Sequence, residues 1–104
     1  MINARFFEKD KKIVSFSISG HAGFEDYGKD IVCAGVTSAV MTVINGITEC
    51  AKVPCDVKVL ENEIICKVLE KDKTAECMLS SLKLQLEILS EQYDGTINIT
   101  VTEV

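Results

Sequence analysis

Two residues of this chain have the types and spacing to do covalent chemistry together. His21 is the single histidine, and Cys33 follows it by twelve positions. A thiolate is a strong nucleophile, and an imidazole titrates in the range needed to take the thiol proton near neutral pH. His21 stands in Ser19-Gly20-His21-Ala22, where a strand-like stretch opens into a glycine-rich loop over 20–30. Cys33 falls in the first turn of a long helix expected to begin at Ile31. At that place the helix dipole and its unpaired N–H groups would favour the thiolate. The N–H groups of Cys33 and Ala34 could hold the oxyanion of a tetrahedral intermediate. The intervening loop contains Gly23 and Gly28, with Phe24 and Tyr27 as aromatics, and could close over a bound peptide.

The remaining cysteines point elsewhere. Cys66 alternates with Ile64 and Val68 in a strand pattern, and Cys77 lies beside the core stripe of a helix. Both read as small hydrophobes. Cys50 and Cys55 flank a helix end, but zinc requires four ligands, and neither a Cys-x-x-Cys pair nor a second histidine is present. No metal site is expected. No Walker or dinucleotide fingerprint occurs, so no cofactor is expected either. Arg5 and Glu8 interrupt any apolar run at the N-terminus, which does not read as a signal peptide. With five cysteines, an odd number, the expectation is a cytoplasmic protein with reduced thiols. The formal net charge of −5 argues against nucleic acid as a direct partner and is compatible with a basic one.

These residues need elements to position them, and 104 residues fit a single domain over 1–104. Strands are expected over 2–8 and 12–19, around the polar turn Lys9-Asp10-Lys11. The second would set Val14, Phe16 and Ile18 against Ser15, Ser17 and Ser19. Asp30 would cap a helix running from Ile31 to about Ala51, where Pro54 restricts Val53. Short strands over 56–60 and 64–69 follow. A second helix over 73–92 carries an apolar stripe of Ala75, Met78, Leu79, Leu82, Leu86 and Leu89. Tyr93-Asp94-Gly95 stops it, and a last strand covers 96–103. The order ββ-loop-α-ββ-α-β predicts an α+β fold: a mostly antiparallel five-stranded sheet with both helices packed on one face.

The first helix carries no charge between Asp30 and Glu49, close to the length of a membrane span. Thr37, Ser38, Thr42, Asn45 and Gly46 within it argue against one. A helix apolar on most sides is covered twice. With one other helix available, a partner subunit is expected to supply the second cover, hence a homodimer.

Gly20-His21-Ala22, followed at fixed spacing by Tyr27-Gly28-Lys29-Asp30-Ile31-Val32-Cys33-Ala34-Gly35, resembles the signature of the ribosomal-processing cysteine protease family, Prp. The signature covers about a fifth of the chain, and length and element order fit throughout. The resemblance implies a homodimeric endopeptidase of Firmicutes and related bacteria. Its substrate would be the short N-terminal extension of a large-subunit ribosomal protein, cut after an apolar segment ending in two phenylalanines. It implies Cys33 as nucleophile and His21 as base, with Gly20 and Asp30 as further motif positions. The family usually has serine four residues after the cysteine, where Thr37 stands here and keeps the hydroxyl. Asp30 has two readings, an orienter of the imidazole or a helix cap, the cap following directly from its position. Phe24 and Tyr27 are the nearest candidates to hold the substrate's aromatics, Met41 a remoter one. Other classes remain in view: a non-catalytic ribosome-associated binding module, or a thiol redox sensor.

Overall fold

The computed structural model describes residues 1–20 and 27–104, and over 27–30 the backbone alone. The elements come in the expected order. They are β1 (Ile2–Lys9), β2 (Lys12–Ser19), α1 (Tyr27–Asn45), β3 (Cys55–Val59), β4 (Glu63–Val68), α2 (Lys73–Gln92) and β5 (Ile97–Glu103). A π-helical turn, Gly46–Cys50, continues α1.

The strands form one sheet in the order β3-β4-β2-β1-β5. Every pairing is antiparallel except that of β5 with β1. Chain direction explains the exception. β4 runs the same way as β1, α2 carries the chain back, and β5 must then set off in the direction of β1. Between β1 and β2, Asp10 and Lys11 both have positive φ (54° and 65°), the mirror-image turn whose twist matches the strands it joins.

The inner face of the sheet holds Ile2, Ala4 and Phe6 of β1, Phe16 and Ile18 of β2, and Cys66 of β4, all buried. The Phe6 and Phe16 rings sit 6.2 Å apart at its centre. One expectation shifts here. A register irregularity between Phe7 and Glu8 lets Ile13 pair with Glu8. Ile13 is thereby buried, and Val14 is only half-buried. A bulge reverses the alternation beyond it, which a strict period of two cannot foresee.

Both helices cover this inner face. α2 starts where the Asp72 carboxylate accepts the Ala75 N–H at 3.0 Å, an N-cap bond. Ala75, Leu79, Leu82 and Leu86 are buried as the stripe requires. Gly95, at φ 78°, turns the chain into β5. Cys77 corrects the sequence reading. It lies two residues, about 200°, around the helix from Ala75 and is exposed rather than beside the core. α1 contributes Val32, Val36, Val40, Val43 and Ile44, with Ile47 of the π-helical turn beyond it. The helices run antiparallel, Gly35 against Leu89 and Gly46 against Met78. By length and composition Ile31–Cys50 passes for a membrane span, as core helices also do; here Val32, Val36, Val40, Val43, Ile44 and Ile47 are part of the core.

Candidate active site

β2 delivers the chain to one end of the sheet, and α1 departs from that same end. Gly20 terminates the delivery at φ 85°, a region that favours glycine. A Cβ placed there would lie 2.5 Å from the Met1 carbonyl oxygen. The Gly20 N–H also donates to the Asn62 carbonyl at 3.1 Å. Gly20 is therefore held between the start of β1 and the tip of the β3–β4 hairpin. His21 follows it by one peptide bond. His21 and Phe24 lie outside the described residues, as do the side chains of Tyr27 and Asp30.

α1 begins at Tyr27, four residues before the expected start. Nothing between Gly20 and Ile31 resembles proline, so no residue there bars the helix from extending backward. Two expectations are corrected. Asp30 is the fourth residue of α1, within its first turn, and does not stand at the N-cap position. Cys33 is the seventh, at the end of the second turn, where the effect of the dipole has faded. The N–H groups of Cys33 and Ala34 lie beyond those that a helix start leaves unpaired. In this conformation they belong to the helix ladder and do not make an oxyanion hole.

The position of Cys33 around α1 follows from the two glycines that face α2. Gly35 and Gly46 lie about 200° and 220° from Cys33 at 100° per residue. Cys33 is thus on the flank of α1 turned away from α2. It is half-buried and packs against the core. Thr37 lies one turn further on and is exposed, close enough in a helix for the two side chains to be neighbours. Met41, another turn along, is half-buried against the core. Ala34 faces outward and is exposed.

All five cysteines are thiols. Burial pushes the Cys66 thiol up to about 12, and the charge and hydrogen bond of Cys55 and the charge of Asp56 add to the rise. Burial likewise raises Cys55, partly offset by its hydrogen bond to Cys66. Thiols raised in this way are poor nucleophiles at neutral pH. They do not compete with Cys33.

The β3–β4 hairpin is the part of this neighbourhood that sequence reasoning missed. It lies thirty or more positions from His21 in the chain, so no local signal marks its tip as a neighbour of Gly20. A cavity of about 550 Å³, lined in part by Lys12, Lys67, Lys71 and Asp72, sits at the opposite end of the sheet. It does not include Cys33.

Comparison with known proteins gives this arrangement its family. Residues 1–98 match the model of the family described as cysteine protease Prp. The ribosomal processing cysteine protease Prp of Bacillus subtilis (strain 168) is 50% identical over 38 residues, covering 36% of this chain and 34% of that protein. The protein of the same name from Staphylococcus aureus (strain Mu50) is 26% identical over 91 residues, 85% of this chain and 86% of its own length. The crystal structure of the S. aureus protease with a covalently linked product peptide has the same fold. It superposes with a TM-score of 0.89 at 23% identity, covering 98% of this chain and 100% of the other. A crystal structure from Streptococcus mutans superposes with a TM-score of 0.82 at 23% identity, over 100% of this chain and 96% of that one. With the family model matched over nearly its whole length and the fold in agreement, the chain belongs to the cysteine protease Prp family and is a cysteine protease.

Proposed function

We propose that this protein removes the short N-terminal extension of a bacterial large-subunit ribosomal protein, with Cys33 as nucleophile and His21 as general base. The observation that carries the assignment of residues is topological. β2 ends at Gly20, the residue before His21 in the chain, at the end of the sheet from which α1 departs, and α1 presents the half-exposed Cys33 on a flank free of α2. The names of the B. subtilis and S. aureus relatives supply the ribosomal substrate.

In the reaction, His21 takes the Cys33 proton and the thiolate attacks the scissile carbonyl. Protonated His21 then gives its proton to the leaving amine, and water activated by neutral His21 releases the acyl group from sulfur. The chemistry requires no cofactor or metal. Gly20 sets the direction in which the chain leaves β2 and so the position of His21. Thr37 adds a hydroxyl beside Cys33. Asp30 orients the imidazole or supports the first turn of α1. Phe24 and Tyr27 contact the substrate. The acidic surface speeds encounter with a basic ribosomal protein more than it tightens binding.

The working unit is a cytoplasmic homodimer that needs neither a membrane nor direct contact with nucleic acid. Support for the dimer is the outer face of α1, where Ala34, Ser38, Thr42 and Asn45 are exposed and uncharged. The test is cleavage of a peptide with two phenylalanines before the scissile bond. Wild type cuts it and Cys33→Ala does not; cleavage by Cys33→Ala at the wild-type rate would refute the assignment.

A further inference from the structure

Both helices cover one face of the sheet, and Ser17 belongs to the other. It alternates with Phe16 and Ile18, which are buried on the covered face. Ser17 is nonetheless only 7% exposed. Ser17 and Thr96 are the buried polar residues among those described. The Thr96 hydroxyl is satisfied locally, by the Tyr93 carbonyl of the same turn. The Ser17 hydroxyl instead crosses strands and donates to Glu63 Oε2 at 2.6 Å. A hydrogen bond to a carboxylate is roughly twice as strong as a neutral one.

The bond is diagonal. Ser17 lies opposite Ile65, and Glu63 lies opposite Ser19. It therefore ties the middle of β2 to the first residue of β4, at the end of the ladder where β2 gives way to Gly20. Two backbone bonds complete that end. The Leu60 N–H donates to the Glu63 carbonyl at 2.7 Å and closes the hairpin, and the Gly20 N–H donates to the Asn62 carbonyl at 3.1 Å. Glu63 is thus where the hairpin tip, the β2–β4 ladder and a side-chain bond from β2 meet. The end of a ladder opens more readily than its middle. Opening here would release the Gly20 N–H, one peptide bond before His21.

We propose that Ser17 and Glu63 are positioning residues for the protease reaction: their hydrogen bond holds the tip of the β3–β4 hairpin on β2 and so fixes the Gly20 turn from which the chain enters His21. The inference rests on the protease reading, with His21 as base. Both residues act through Gly20 and not on the reacting atoms. Loss of the bond lets the turn shift by a fraction of an ångström. That lowers kcat, while KM, set by contacts with the peptide, changes little.

The test measures kcat and KM on the peptide with two phenylalanines before the scissile bond, well below the unfolding transition of every variant. Ser17→Ala and Glu63→Ala are each expected to lower kcat about tenfold, against about a hundredfold for a full ångström of misplacement. Amide hydrogen exchange at Gly20 should quicken in both. The double variant should be no slower than either single one, since the same bond is lost in all three. Glu63→Gln keeps an oxygen for the Ser17 hydroxyl and should restore most of kcat. Glu63 is half-buried, so its variants read the same bond if Ser17→Ala fails to fold. Asp72→Ala is the control. It removes one hydrogen bond at the opposite end of the sheet and should unfold more easily with kcat intact. Wild-type kcat in folded Ser17→Ala or Glu63→Ala, additive losses in the double variant, Glu63→Gln as slow as Glu63→Ala, unchanged exchange at Gly20, or an equal kcat loss in Asp72→Ala would each overturn the positioning role. If wild type leaves the peptide uncut, the protease reading falls and takes this inference with it; normal wild-type cleavage with indifferent variants removes the inference alone.

Discussion

Gly20 and Gly95 allow a controlled measurement of what holds the active-site turn. Both have positive φ, 85° and 78°. A Cβ on Gly95 would meet nothing within 4 Å, whereas one on Gly20 would meet the Met1 carbonyl oxygen at 2.5 Å. Gly95→Ala therefore carries only the cost of a left-handed conformation, about 1–2 kcal/mol. Gly20→Ala carries that cost and a backbone clash that forces β1 and the turn apart. The displacement also strains the Gly20–Asn62 hydrogen bond, worth about 1 kcal/mol net. The left-handed cost and the strained bond together come to about 2–3 kcal/mol, and the clash brings Gly20→Ala to about 3–4 kcal/mol. At roughly 4–8 °C per kcal/mol for a domain of this size, Gly95→Ala should lower Tm by about 5–10 °C and Gly20→Ala by about 15–25 °C. Thermal unfolding followed by circular dichroism reads both. Below both transitions, Gly20→Ala should further lower kcat/KM about a hundredfold, since a displacement near an ångström at His21 is enough, and Gly95→Ala should leave it close to wild type. Equal Tm shifts for the two variants would refute the steric argument. Wild-type kcat/KM in folded Gly20→Ala would refute the link between this turn and catalysis.

Three further outcomes follow from other parts of the molecule. Cys33→Ala should abolish peptide cleavage while lowering Tm only a few degrees, because the side chain is half-buried and small; a stable variant with residual cleavage would point to another nucleophile. Asp72→Ala should lose about 1 kcal/mol by removing the bond to the Ala75 N–H, with Asp72→Asn close to wild type, measured by urea unfolding. Cys66 is pushed up to about 12 from an ordinary 9.0, so its folded form holds a proton that the unfolded chain releases above pH 9. Its contribution to stability is thus complete below pH 9 and is lost as pH climbs from 9 to 12, with a slope of at most about 1.4 kcal/mol per pH unit. Urea unfolding of wild type and Cys66→Ala at pH 8, 9 and 10 should show the steeper decline in wild type; parallel declines would contradict the buried thiol.

Much of this fold was legible in the chain. The stripe from Ala75 to Leu89 marked α2, since 3/4 spacing is a local signal. The Ser15–Ser17–Ser19 alternation likewise marked β2, while the bulge that buries Ile13 escaped because it depends on the register against β1. The start of α1 was misplaced because Asp30 is a good cap residue and no neighbour contradicted it; only the continuation of helical backbone to Tyr27 removed it from that role. Cys77 was misjudged because it neighbours Met78 in the chain, while 100° per residue turns it about 200° from Ala75.

The site divides along the same line. The motif around His21 and Cys33 carried the resemblance to the cysteine protease family, because the residues proposed as base and nucleophile and the glycines beside them are written close together. Which flank of α1 carries Cys33 and what pins Gly20 were decided by tertiary structure. Met1 and Asn62 reach Gly20 through strand order and register. Such contacts join residues far apart in the chain, and no local pattern encodes them.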